Sequence, residues 1–363
     1  MDKFPAGGGV HRKILVKAQL GKTFEDIISL ENLLAAWEEF VRGKRGKRDV
    51  QEFSLALMDN IFALHEDLRN RTYRHGGYWA FNICDPKPRN IHKASVRDRL
   101  LHHAVYRILY PFFDRTFIAD SYSCRLGKGT HKALNRFHSF AYAVNKNNTR
   151  TCWVLKCDIR KFFANIDHVI LLEILAQYIP NREIMWLLRE VVESFSSARP
   201  GVGLPLGNLT SQLLVNIYMN EFDQFAKHKL KSKCYLRYAD DFVVIGSSRA
   251  WLEKQVSHVE RFLREKLKLE LHPQKVSIQT LASGVDFLGW VHFPDHRVLR
   301  TATKRRMLRG IAEKMTPETV SSYLSLLRHG NTHGLRKRVE STFMPQFYKG
   351  GSFYLERSYR TQP

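Results

Sequence analysis

Three aspartates carry the strongest chemical prospects in this 363-residue chain. Asp158 ends the short apolar run Cys152-Trp-Val-Leu-Lys-Cys157, and the adjacent pair Asp240 and Asp241 stands between two further apolar runs. Two neighbouring carboxylates at the tip of a tight hairpin repel each other, and a β-turn needs only one Asx residue. A divalent cation would remove that cost, and hard oxygen ligands suit Mg²⁺. With another strand-end carboxylate nearby, such a set can hold two metals about 4 Å apart, one activating an attacking hydroxyl and the other stabilising a leaving pyrophosphate. Taken alone, Asp240-Asp241 reads equally well as a solvated turn.

Elements must bring those carboxylates together. Cys152–Cys157, Cys234–Tyr238 and Phe242–Ile245 are runs of β-formers, and only Ala239-Asp240-Asp241 separates the last two, which predicts a tight hairpin. Phe287–Val291 reads as one more strand. Apolar residues at helical spacing predict one helix over Phe24–Val41 and another through Leu57, Ile61, Leu64 and Leu68. A breaker-rich segment, Tyr73–Asn90, leads into a longer helical region containing Leu100, Ala104, Ile108 and Leu109. A further helix is expected over Asp167–Tyr178, and helices return after about residue 300, with Thr316-Pro317 as a cap and first helical position and His329–Gly334 as a break. The fold class is α+β, helical at both ends and mixed in the middle.

The chain has 58 Lys+Arg against 35 Asp+Glu, a formal net charge of +23. Cations are spread along the whole length, which fits a folded body with a basic groove for a polyanion, nucleic acid first; a ribosome-like or membrane-surface protein is the alternative. No run of about 18 apolar residues is present, so no transmembrane helix and no membrane partner are expected. The N-terminus lacks the apolar core of a secretory signal. Five cysteines without a C-x-x-C pair argue against a disulfide framework or thiolate zinc site and fit a reducing cytoplasm.

Beyond the spacing of residue types, Tyr238-Ala-Asp240-Asp241 resembles the YxDD box of reverse transcriptases, and Asp158-Ile-Arg-Lys-Phe-Phe163 resembles the first catalytic carboxylate motif of that family. Other matches follow in order over roughly residues 70–290. Pro88-Arg89 through Asp98-Arg99 is similar to the fingers motif, and Ser121 to His131 to the template-contacting segment. Leu204-Pro-Leu-Gly207-Asn-Leu-Thr-Ser211-Gln212 resembles the nucleotide-pocket motif, Leu271 to Lys275 the lysine-bearing palm motif, and Gly284 to Gly289 the primer grip. The resemblance implies a right-hand polymerase: a basic arm at 1–22, helical fingers at 23–150, a palm with an antiparallel sheet at 151–295, and a small helical thumb with the tail at 296–363.

It also implies roles. Asp158, Asp240 and Asp241 would be catalytic and, with Ile159, would hold two Mg²⁺ ions, Mn²⁺ being a possible substitute. Arg89 and Lys87 would bind the incoming triphosphate, since guanidinium forks match phosphate oxygens; an exposed Pro-flanked loop is the plainer reading. Phe163 falls at the steric gate against a ribose 2′-OH, or is ordinary core. Leu206, Gly207 and Gln212 would line the nucleotide. Lys275 would assist pyrophosphate departure as a general acid, or is a surface lysine. Arg125, Lys128, Arg237, Tyr238, Gly289, Lys304 and Arg305 would contact nucleic acid, although Lys304–Arg309 also reads as a solvated charged face.

The pocket motif departs from the common pattern: Leu206-Gly207 replaces Gln-Gly, and Ser211-Gln212 replaces Ser-Pro. Loss of an amide beside the nucleotide removes a polar check, and a site that loses polar complementarity loses discrimination. This form resembles reverse transcriptases of diversity-generating retroelements. The resemblance implies error-prone copying of a structured template-repeat RNA into cDNA from deoxynucleoside triphosphates. It further implies a small basic accessory protein oligomer as partner and a bacterial or phage gene. A stand-alone antiphage reverse transcriptase, using a noncoding RNA or no template, is the second reading, and an idle RNA-binding scaffold the third.

Overall fold

The computed structural model describes residues 17–84 and 88–348. In chain order it runs α1 (Phe24–Ile28), α2 (Leu30–Phe40), α3 (Arg48–Leu55), α4 (Leu57–Arg69), β1 (Tyr78–Ile83), β2 (Arg89–Ala94), α5 (Val96–Asp114), α6 (Thr130–Val144), β3 (Trp153–Asp158), α7 (His168–Ala176), α8 (Arg182–Glu193) and α9 (Leu209–Gln224). Then follow β4 (Tyr235–Tyr238), β5 (Asp241–Gly246), α10 (Arg249–Leu267), β6 (Ser277–Thr280), β7 (Val285–Phe287), β8 (Trp290–His292), β9 (Arg297–Leu299), α11 (Thr301–Glu313), α12 (Pro317–Leu327) and α13 (His333–Tyr348). The α+β class holds, and no helix among the described residues is long and apolar enough to cross a membrane.

The chain divides into two compact units. One comprises the described part of Met1–Ala80 with His92–Arg115 and Ile166–Tyr218; the other takes Phe81–Ile91, Thr116–Asn165 and the described residues from Met219 onward. The first unit is built on helices, with α2 packed along α5 and α7 on α8. In the second, β4-β5-β3-β6 form a four-stranded sheet and β7-β8-β9 a three-stranded one. The pairs β3–β5, β3–β6 and β4–β5 are all antiparallel. β3 is central and reads as an apolar run because both its faces are covered. Val154, with Leu236, Val243 and Ile245, joins the core under α6, whose Ala133, Leu134 and Phe137 are fully buried. On the opposite face, Phe222 of α9 packs on Phe242 and Phe262.

Three expectations need correction. The helix over Phe24–Val41 is two helices, because Ser29 leaves the helical conformation and its side chain accepts from Asn32 N–H, capping α2. The breaker-rich Tyr73–Asn90 segment contains β1 and part of β2: its glycines and prolines bound the strands instead of interrupting them. Phe287–Val291 is a hairpin, not one strand, since Leu288 and Gly289 turn with φ +50° and +84°, the paired positive values of a type I′ turn. Thr316 caps α12 with Pro317 at its first turn, as expected. Most of the 1–22 arm lies outside the described residues.

Candidate active site

The register of the sheet brings the carboxylates together. β3 and β5 pair so that Asp158 stands directly opposite Asp241. Residues opposite each other in an antiparallel pair share a face, with Cβ atoms about 4.5–5.5 Å apart. β4 and β5 pair Tyr238 with Asp241, so Ala239 and Asp240 alone form the turn. Ala239 carries φ +55°, the positive first position of a II′ hairpin, where glycine is the usual residue. Asp240 is tied to the neighbouring segment, its carbonyl accepting from Ile159 N–H at 3.3 Å. Ile159 also faces Leu271 in an isolated bridge whose bonds run from Arg160 N–H to Glu270 O (2.9 Å) and from His272 N–H to Asp158 O (2.7 Å), so the Ile159 carbonyl is not spent there.

Burial dominates the electrostatics of the adjacent pair. Burial pushes the Asp241 carboxyl up to about 6, with repulsion from Asp240 and then Asp158 adding to it. Burial likewise raises Asp240, with Asp158 adding and Lys275 and Arg89 opposing. Lys156, two positions before Asp158 on the same face, offsets part of the Asp241 shift. Lys275 Nζ lies 2.9 and 3.0 Å from the two oxygens of Asp158. Two adjacent carboxylates, Asp240 and Asp241, that burial and nearby negative charge hold towards the neutral form are chemically suited to a hard divalent cation. Among the described residues, however, no group of three His, Cys, Asp or Glu side chains is gathered closely enough to hold one as it stands.

Phe163 is half-buried, while its neighbour Phe162 is 3 % exposed and sits edge-on to it at 5.6 Å. The core role open to this Phe-Phe pair therefore falls to Phe162. Arg89 is exposed at the start of β2 and within electrostatic reach of Asp240. Lys87 lies outside the described residues. Leu206, Gly207 and Gln212 belong to the first unit. There the Leu206 carbonyl accepts from His92 N–H at 2.9 Å, and Asn208 Nδ2 donates back to His92 O at 2.9 Å. Gly207 is exposed with φ +106°, and Gln212 is half-buried in the first turn of α9. His92, Asn208 and Lys156 were not singled out from sequence, although Asn208 lies within the pocket motif; His92 and Lys156 stand in no distinctive pattern.

Arg237 is a correction. It is wholly buried with Asp223, not available to nucleic acid: its Nη2 and Nε donate to the two carboxylate oxygens at 2.7 and 2.8 Å, and Nη1 donates to the Ala239 carbonyl at 3.0 Å. It braces the turn that carries Asp240. Arg125 and Lys128 are also engaged within the fold: Arg125 donates to Ile118 O and Ser121 O and lies over Phe117, and Lys128 donates to Ala119 O and lies over Tyr122. Tyr238 is half-buried, its hydroxyl accepting from Thr130 Oγ1 at 3.1 Å. Gly289 forms the β7–β8 turn, and Lys304 and Arg305 are exposed on α11.

A paired-carboxylate hairpin beside a strand-end aspartate, on an antiparallel sheet in a strongly basic chain, is chemically suited to a hard divalent cation and a polyanion. Comparison with known proteins makes this specific: the family model described as reverse transcriptase (RNA-dependent DNA polymerase) matches residues 85–292, more than half of the chain, and the chain belongs to that family. It is 25 % identical over 257 residues to Protein YkfC of Escherichia coli K12, covering 60 % of this chain and 65 % of that one. It is 25 % identical over 300 residues to the group II intron-encoded protein LtrA of Lactococcus lactis subsp. cremoris, covering 61 % of this chain and 48 % of LtrA. The chain thus spans about half to two thirds of these relatives' lengths. Among solved structures, apo telomerase from Candida tropicalis, truncated from its C-terminal domain, is similar with a TM-score of 0.48 at 13 % identity, over 63 % of this chain and 55 % of that one.

Proposed function

We propose that the chain is an RNA-directed DNA polymerase of the diversity-generating type, copying a structured template RNA into cDNA with relaxed fidelity. The observation that carries the polymerase reading is the register that sets Asp158 opposite Asp241 at the end of the sheet, with Asp240 in the adjoining turn. Asp158, Asp240, Asp241 and the Ile159 carbonyl would hold Mg²⁺, which supplies activation of a primer hydroxyl and stabilisation of departing pyrophosphate when bound. Arg89 would meet the triphosphate of the incoming deoxynucleotide, and half-buried Phe163 would exclude a 2′-OH. On this reading residues 23–150 serve as fingers, 151–295 as palm and 296–363 as thumb and tail.

Leu206 supports the fidelity part of the reading. An aliphatic side chain stands where an amide would test the geometry of the base pair, and its own main-chain carbonyl is already taken by His92 N–H. Sites lose discrimination when a polar contact is absent. A small basic accessory oligomer and deoxynucleoside triphosphates complete the proposed partners.

Primer extension on a defined RNA template with Mg²⁺, followed by cDNA sequencing, tests this. Asp240→Ala should abolish synthesis, and errors should concentrate opposite template adenines. Accurate or template-free synthesis would replace the diversity-generating reading with the antiphage one. Synthesis that survives Asp240→Ala would overturn the site itself.

A further inference from the structure

Lys275 is placed with more care than a surface lysine needs. The segment His272-Pro273-Gln274-Lys275 is a β-turn closed by Lys275 N–H to His272 O at 2.9 Å, with proline at its second position, where a fixed φ is favourable. The turn is sewn to Asp158 itself, because His272 N–H donates to Asp158 O at 2.7 Å and Leu271 bridges Ile159. Backbone bonds therefore hold the root of the lysine beside the carboxylate its ammonium meets, and Nζ reaches both oxygens, at 2.9 and 3.0 Å. The same side chain is within electrostatic reach of Asp240 and Asp241. A carboxylate whose two oxygens both face an ammonium offers a cation less negative charge and fewer lone pairs, and no three-ligand group is gathered among the described residues.

We propose that Lys275 is a charge placeholder: its ammonium holds Asp158, and Asp158 joins Asp240 and Asp241 around a divalent cation as that ammonium gives way. The inference rests on the polymerase reading and deepens it, making Lys275 a positioning residue that sets the threshold for metal entry. A lysine acting only as a proton donor to pyrophosphate would leave metal affinity without nucleotide unchanged.

The test is titration of Mn²⁺ into the full chain, without nucleotide or RNA, reading free Mn²⁺ by its electron paramagnetic resonance signal. Lys275→Met should bind roughly tenfold more tightly than wild type, since a like charge within a few ångströms has been removed. Lys275→Arg should stay within about twofold of wild type, because the positive charge is retained. Asp240→Asn should remove the binding in both backgrounds. Lys275→Gln serves as a second neutral variant, so that a defect peculiar to methionine cannot decide the result. Asp240-dependent binding that neither neutral variant tightens overturns the placeholder and leaves the polymerase reading standing. No Asp240-dependent binding in wild type or either neutral variant overturns both.

Discussion

Arg237 shows how a buried charge can brace a turn that carries a candidate site residue. Its guanidinium and the Asp223 carboxylate are both fully buried, and Tyr235 donates a third hydrogen bond to Asp223 at 2.6 Å. Burying two ions is costly, and such a pair seldom adds net stability over apolar residues of similar size, but removing one partner leaves the other uncompensated. Arg237→Met should therefore lower the unfolding free energy by about 3–5 kcal/mol, seen as a lower denaturant midpoint. The double variant Arg237→Met with Asp223→Leu should recover much of that loss while leaving the Ala239 carbonyl unbraced, so stability would return ahead of activity. An Arg237→Met midpoint equal to wild type would show that water reaches the pair. This arrangement was not legible in the residue pattern: in a chain with 58 Lys+Arg, nothing marks Arg237 as an arginine whose partner lies fourteen positions upstream on a helix.

At the scale of elements, the hairpin and β3 were legible because runs of Val, Leu, Ile, Tyr and Phe, each broken by aspartate, leave few alternatives to strands joined by a tight turn. The β1–β2 ribbon was hidden by Gly76, Gly77, Pro86 and Pro88, which signal a loop whether they flank strands or replace them. The β7–β8 turn was hidden because leucine at positive φ has no signature in sequence; packing of Phe287 and Trp290 on either side imposes it. The β4–β5 turn stores similar strain. An L-residue with a Cβ pays roughly 1 kcal/mol for the left-handed region, and Ala239 pays it two residues from Asp241. Ala239→Gly should stabilise the chain by up to about 0.5 kcal/mol after the entropy that glycine adds to the unfolded state is counted. Thermal unfolding would show it as a small rise in Tm; a fall would mean that the alanine methyl makes contacts worth more than the strain. The candidate site was most legible where chemistry demands a residue type, at Asp158, Asp240 and Asp241, and least where a main-chain contact decides, as between Leu206 and His92.

For the molecule as a whole, both compact units hold a neutral histidine out of water. Burial pushes His102 on α5 down to about 3, with the electrostatic effects of His75, His103 and Arg99 adding, and pushes His292 on β8 down to about 3, with Arg297 adding. A histidine whose folded pKa is depressed contributes stability that is fully present above its unfolded value near 6.5 and lost as pH falls below that value. Each should remove about 1.4 kcal/mol per pH unit through the window between roughly 6 and 3. Tm should accordingly hold between pH 8 and 7 and fall steeply by pH 5, and His102→Gln should flatten part of that fall. A Tm unchanged at pH 5 would show that both rings can be protonated within the fold.

The strand order also governs how the molecule comes into being. β3 is flanked by β5, whose Asp241 lies 83 residues beyond Asp158, and by β6, whose Ser277 lies 121 residues beyond Lys156. At a synthesis rate of about 5–20 residues per second, β3 waits roughly 6–24 s for its second neighbour. Until β5 follows, roughly 4–17 s after β3, Val154, Leu155 and Cys157, all buried in the finished sheet, have no strand to pair with on either side, and one edge stays open until β6 arrives. Loop closure on that scale must precede any reward from the contacts it makes, which slows folding and exposes unpaired edges to other chains. Asp158 therefore meets Asp240 and Asp241 only after the chain between them has been made, and the yield of folded protein depends on how long a nascent chain can keep its central strand from the wrong partner.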